Sequence, residues 1–199
     1  MASQIDIYNM ALGHLGQQQT VSSLTEQSSQ RIALSRFYAT ARDTLLRSAQ
    51  WPFARKTKML SVVAEDPTDE WTFSYRYPND CLYMRRIFSG ERNDAEDSIV
   101  PYLLVQDSAG MLVYTDLNEC QIEYTSKCDN TSIFPPDFVM ALSALLASLA
   151  GPSLCGGDLK PANRAYELHS MYLGKAISNS MGEEKPDRYP DDSFTRSRG

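Results

Sequence analysis

Residues 138–150 are apolar or small on every side, fenced by Pro135-Pro136 before and Gly151-Pro152 after. Phe138, Leu142, Leu145, Leu146 and Leu149 are spaced by alanines and serines. A helix apolar all round has no face to give to water, so the other elements must pack around it. Pro136 suits the first helical position, where a missing N–H is no loss. Gly151-Pro152 reads as the stop. The run falls short of the roughly 18 residues a membrane span needs, and it contains Ser143 and Ser148. A core helix, with no membrane partner, is the expectation.

Three further segments have the spacing to surround it. Ile5, Tyr8, Leu12 and Leu15 recur at helical intervals, with Gly16 as C-cap. Ser23 with Glu26 forms a capping-box pattern, with Thr25 as a rival N-cap, and opens a helix to about residue 49. Ala33, Leu34, Phe37, Ala41, Leu45 and Ser48 make its inner stripe, and Pro52 ends it. Trp51-Pro52-Phe53 then forms an aromatic corner pinning the helix end. The last helix opens at Pro161 and runs to about residue 180, with Ala162, Ala165, His169, Tyr172 and Ala176 on one face.

The period changes near residue 60. Trp71, Phe73, Tyr75 and Tyr77 alternate with polar residues, as in a strand with one buried face packed on the helices. Residues 81–88 are β-rich. Residues 102–105 and 111–114 flank the turn residues 107–110, a hairpin pattern, and residues 120–125 add a strand. About five antiparallel strands are expected. The chain thus reads as α+β, mainly α: a bundle of about four helices with an inserted antiparallel β lobe and an extended C-terminal arm. Residues 1–58 and 131–180 form the helical core, 59–130 the β lobe and 181–199 the arm.

That arm has too little apolar surface to offset its ordering entropy. It has a pattern nonetheless. Acids come first, at Glu183, Glu184, Asp187, Asp191 and Asp192, and Phe194, Arg196 and Arg198 follow. With Tyr189, these last three read as a docking anchor on a solvated spacer. The net charge of −6 is unevenly spread. Residues 1–58 carry seven bases and three acids, and residues 59–130 carry five bases and fourteen acids. So acidic a middle repels nucleic acid. The arginines of the second helix (Arg36, Arg42, Arg47) and Arg85-Arg86 are candidate intersubunit contacts. Of the adjacent pair, alternation puts one residue outward.

Recognisable catalytic chemistry is absent from the pattern. His14 and His169 sit on helices and read as packing or surface histidines. No nucleophile elbow, phosphate loop or zinc spacing occurs. Carboxylate pairs such as Glu65-Asp66 and Asp191-Asp192 lie in polar stretches, where nothing raises a pKa for acid catalysis. Four unevenly spaced cysteines read as reduced thiols of a chain made in a cytoplasm, and residues 1–10 lack the pattern of a secretory leader. No catalytic residue, metal or cofactor is expected.

Several linked stretches resemble a known family. They are Ile7-Tyr8-Asn9-Met10-Ala11-Leu12 with Leu15-Gly16, then Ser23-Leu24-Thr25-Glu26. Next come Phe37-Tyr38 and Ala41-Arg42-Asp43-Thr44-Leu45-Leu46-Arg47, ending in Trp51-Pro52-Phe53-Ala54. Tyr75-Arg76-Tyr77-Pro78-Asn79-Asp80-Cys81-Leu82 and Arg85-Arg86-Ile87-Phe88 complete the set. Together they resemble the head-to-tail adaptors of short-tailed phages, the tail tubular protein A type and the portal-binding tail accessory factors. The resemblance covers residues 4–90, and the remainder by layout. It implies a homo-oligomeric ring, a dodecamer, at the head-tail junction of the virion, assembled in the host cytoplasm. Its implied partners are the portal protein, a tail tube or nozzle protein, and duplex DNA passing through without sequence-specific binding. It also implies that the C-terminal arm reaches the portal. The charge pattern suits a lumen to which DNA does not stick. The competing expectation is a tail-associated peptidoglycan hydrolase, which requires paired carboxylates flanking a groove.

Overall fold

In the computed structural model, which describes residues 2–63, 67, 70–90 and 99–183, the apolar run is indeed the central helix. Three helices surround it: α1 (Gln4–His14), α2 (Ser29–Ser48) and α4 (Lys160–Glu183) pack on α3 (Pro136–Leu154). Between α2 and α3 the chain forms β1 (Arg55–Met59), β2 (Phe73–Arg76), β3 (Cys81–Ile87), β4 (Leu103–Asp107), β5 (Gly110–Thr115) and β6 (Gln121–Ser126). The class is α+β, with two small antiparallel sheets.

Gly151-Pro152 does not stop α3, which continues to Leu154. Pro152 sits in the last turn, where its missing N–H forfeits one bond at an end that frays anyway. Gly151 is instead a point of close approach. A Cβ there would stand 2.9 Å from Ala162 Cβ and 3.1 Å from Leu15 Cδ2, so the glycine sets how closely α4 and the end of α1 approach α3. At 19 residues α3 is long and apolar enough, by length and composition alone, to cross a membrane, contrary to the shorter run read from sequence. Most of that helix is nonetheless buried in the core, although Leu149 is exposed.

Helix α1 starts at a capping box of Ser3 and Asp6 and buries Ile7, Tyr8, Ala11 and Leu12. Helix α2 begins at Ser28, later than the Ser23–Glu26 pattern suggests. Glu26 is used differently: its carboxylate accepts from the Ser22 amide and hydroxyl, the Ser23 amide and the Ser28 hydroxyl. Hydrogen bonds from Ser28 and Ser22 hold its pKa down to about 2. The box thus closes a non-helical turn, and Ser28, accepting from the Arg31 amide, caps the helix. The aromatic corner behaves as expected. Trp51 Nε1 donates to Leu45 O at 2.9 Å, and Trp51, Phe53 and Phe134 surround Phe138 with ring centroids 4.9–5.1 Å away. Fully burying each such side chain stabilises by about 1.5–3 kcal/mol.

Among the described residues the β lobe has six strands, against about five expected, and its first strand begins at Arg55, ahead of the expected boundary. One sheet has the order β1-β6-β3 and the other β2-β5-β4. The chain crosses from one to the other at residues 60–63, where Leu60 N bonds Cys120 O, Val63 N bonds Ser74 O, and Arg76 N bonds Ser61 O. The hairpin falls where its turn chemistry puts it: Asp107 pairs with Gly110, and Asp107 Oδ1 accepts from the Ala109 amide. Leu60, Tyr75, Met84, Ile87, Val113, Ile122 and Tyr124, drawn from both sheets and the crossover, form a second core. The aromatic strand therefore packs mainly in a core between sheets, not on the helices as expected.

Candidate functional site

Strand β6 is central in its sheet, and both of its faces are buried. Ile122 and Tyr124 enter the core between sheets. Glu123 and Thr125 therefore point the other way, yet they are only 7% and 2% exposed. Arginines supply the cover. Arg55 Nε lies 3.6 Å from Glu123 Oε1, and Arg86 Nη2 lies 3.4 Å from Glu123 Oε2. Arg85 Nε donates to Thr125 Oγ1 at 2.9 Å, and its Nη2 donates to Ala49 O at the C-cap of α2.

Arg85 and Arg86 adjoin each other in sequence, so regular alternation sends one to each face. A bulge changes that. Met84 pairs with Tyr124 and Arg86 pairs with Glu123, leaving Arg85 as an inserted residue. Both guanidinium groups consequently reach the outer face, which corrects the expectation that only one does. A second irregularity between Cys81 and Tyr83 sets Tyr83 opposite Thr125 on the same face. Its ring carries Arg85 at 4.4 Å and Arg47 at 6.0 Å from the centroid.

The result is a cavity of about 300 Å³ lined by Gln50, Arg55, Arg85, Arg86 and Glu123. Among the described residues three guanidiniums and one carboxylate line it, and Arg55 and Arg86 make further interactions besides those with Glu123. Among the described residues, Arg85 donates its hydrogen bonds to neutral acceptors, Thr125 Oγ1 and Ala49 O. Burial lowers the Arg85 pKa from its ordinary value, though a guanidinium remains charged at neutral pH. Such a site can hold an anion by charge and by forked N–H donors.

The other arginines singled out in the sequence divide in two. Arg36 and Arg47 are exposed on α2. Arg42 is 4% exposed, and its guanidinium bonds Asp43 at 2.8 Å and also Asp129. It holds α2 to the segment before α3. Tyr189, Phe194, Arg196 and Arg198 lie outside the described residues.

The histidines serve packing. His14 Nε2 lies 3.1 Å from Ser143 Oγ, and His169 Nδ1 lies 2.9 Å from Ala141 O, so each ties a neighbouring helix to α3. The four cysteines are free thiols, and burial pushes the Cys120 pKa up to about 11. That environment makes it a poor nucleophile at neutral pH. Among the described residues no group of three potential metal ligands occurs. A larger cleft of about 450 Å³ lies between the end of α1 and the start of α4, and its lining, which includes His14, Lys160 and Arg164, contains no carboxylate.

Glu123, Thr125 and Gln50 escaped the sequence reading. Glu123 stands at an outward position of a strand in an acidic region, where a solvated side chain is the default. The pairing of β1 and β3 with β6, and the bulge in β3, bring the arginines over that carboxylate. No protein-family model matches the chain, and no curated protein matches it.

Proposed function

We propose that this chain is a structural head-to-tail connector of a short-tailed phage, a subunit of a ring seated below the portal. Duplex DNA passes through that ring without sequence-specific binding, and tail proteins attach beneath it. The observation that carries the reading is where the resembling residues lie. Ile7, Tyr8, Ala11 and Leu12, then Ala41, Leu45, Leu46, Trp51 and Ala54, then Tyr75 are buried framework positions. Much of the sequence likeness to adaptors therefore falls, in order along the chain, on residues that build the body, beside exposed ones such as Leu24, Arg47 and Arg86. Helix pairs interrupted by a β lobe, with a chain segment continuing past α4, is the layout the resemblance implies.

The finer parts of the reading follow from charge and composition. Residues 181–199 supply the arm that grips the portal, with Tyr189 and Phe194 as apolar anchors and Arg196 and Arg198 as cations. Arg36 and Arg47, exposed on α2, together with the Arg85-Arg86 face, meet the adjacent copy. No catalytic step, metal or cofactor belongs to this function. The ring is a dodecamer, assembled on the portal in the host cytoplasm and carried in the virion.

Negative-stain electron microscopy of purified portal mixed with this protein tests the reading. Added ring density on one face of the portal is the expected outcome. Portals unchanged in outline at saturating protein, combined with clearing of a peptidoglycan gel by the chain alone, would replace the connector with a hydrolase.

A further inference from the structure

Each sheet of the β lobe has two edges, and among the described residues three of those four edges are guarded. Edge strand β1 carries Lys56 and Lys58. Edge strand β3 is bulged twice. The outer edge of β2 is bonded by the crossover, Val63 N to Ser74 O and Arg76 N to Ser61 O. Lysines, bulges and cover are the devices that keep a sheet from adding another strand. Strand β4 has none of them. Its pairing with β5 is regular from Leu103 to Asp107, and that span contains no lysine and no proline.

The hairpin decides which backbone groups of β4 face outward. Its two-residue turn makes Asp107–Gly110 a hydrogen-bonded pair, and alternation makes Val105–Leu112 and Leu103–Tyr114 the next ones. Leu104 and Gln106 therefore turn their N–H and C=O away from β5. The bond from Tyr77 N to Met111 O, on the far side of β5, has the same phase. Among the described residues nothing bonds the backbone of Leu104 or Gln106 on the open side. The side chains there are uncovered too, with Leu103 45% exposed, Leu104 40% and Tyr102 37%. No side chain from Tyr102 to Gln106 is charged, and both Asp107 carboxylate oxygens are held by Arg76, at 2.8 and 2.9 Å.

We propose that β4 is an edge for a second copy of this chain, the two β4 strands running antiparallel about Leu104 and joining two three-stranded sheets into one. In that register Leu104 meets its own equivalent, Leu103 meets Val105, and Gln106 meets Tyr102. Apolar side chains face each other at the centre and no like charges are opposed, so the edge is complementary to itself. A five-residue strand falls short of the roughly 800 Å² per partner that a stable interface buries, so the pair forms at high concentration and parts on dilution. The pairing does not depend on the connector reading and uses none of the arginines that meet the adjacent copy in it.

Sedimentation velocity of the full chain from about 10 μM to about 1 mM tests the pairing. Monomer at the low end, a growing dimer at the high end and no larger species is the expected result. Leu104→Lys and Leu104→Pro should each weaken the dimer about tenfold or more, since the proline gives up an N–H that β5 does not use. Far-ultraviolet circular dichroism should match the parent chain. About 1 M salt should leave the dimer intact or favour it, because two chains of net charge −6 repel each other. Amide hydrogen exchange of the parent chain gives a readout without substitution: the Leu104 and Gln106 amides should exchange about twofold to tenfold more slowly at the high concentration.

A chain monomeric at the highest concentration would overturn the proposal, as would exchange at Leu104 and Gln106 that ignores concentration. A dimer retained by both Leu104 variants puts the contact elsewhere. A dimer dissolved by salt moves it to a charged surface, and growth past the dimer contradicts an edge that is used up on pairing. Each of these also overturns it.

Discussion

Two charge clusters in this molecule, each centred on a buried residue, are mirror images of each other. Beside the helices, one guanidinium, Arg42, sits between two carboxylates, Asp43 and Asp129. In the β lobe, one carboxylate, Glu123, sits between Arg55 and Arg86 with Arg85 alongside. The first is closed, and the Arg42 side chain has almost no access to solvent. The second opens onto a cavity of about 300 Å³, lined among the described residues by three guanidiniums and one carboxylate. The contrast separates two uses of buried charge. A paired, buried arginine fixes how two segments join, whereas the arginine cluster of the β lobe has a cavity beside it with room for an anion.

Perturbing the helical core should have the largest effect. Phe138→Ala removes the ring that Trp51, Phe53 and Phe134 surround, and should lower unfolding stability by about 3–5 kcal/mol in urea titrations. Glu123→Gln should lower it by about 2–3 kcal/mol, since Arg55 and Arg86 lose their shared carboxylate in a partly buried site. Added sulfate or phosphate should recover part of that loss. Arg42→Gln, by contrast, should lose about 1 kcal/mol, Asp129 being largely exposed, with no recovery by anions. Equal responses of the two variants to sulfate would erase the distinction between a sealed cluster and a receiving one.

Gly151→Ala should destabilise by about 1–3 kcal/mol, because its Cβ meets Ala162 Cβ and a backbone atom of α4 rather than a flexible side-chain end. The same substitution at Gly13, where a Cβ meets open space, serves as the control in thermal melts. The smallest effect concerns pH. Burial lowers the His14 pKa, so below about 6.5 the unfolded chain binds a proton that the folded chain resists. Its contribution to stability is present above that pH and lost as pH falls through the depressed folded value. His14→Gln should flatten this slope in denaturant midpoints measured between pH 7 and pH 5.

The elements whose own residues dictate them were legible in the sequence. The all-round apolar helix, the Trp51 corner, the small-residue face of α4 and the Asp107–Gly110 hairpin each depend on local pattern, and each is where the pattern puts it. Most of the misreadings come from competition with a distant partner, and the Glu26 turn is the local exception. Glu26 caps serines of its own turn rather than a helix begun at Ser23. Gly151 answers to Ala162 across a helix crossing rather than to the end of α3. The Tyr75 strand packs in a core that exists only because two sheets pair. The candidate site is the extreme case, since Arg85, Arg86 and Glu123 come together through a bulge in a long-range pairing that no local spacing records.

Native mass spectrometry of purified portal rings with the full chain, and with a chain ending at Glu183, tests the connector role most directly. The α4 helix and all of its core contacts are retained in the shorter chain. Ring-number copies of the full chain on each portal, with the shorter chain remaining unbound, is the expected result. Equal occupancy by both chains, or no binding by either, would contradict it.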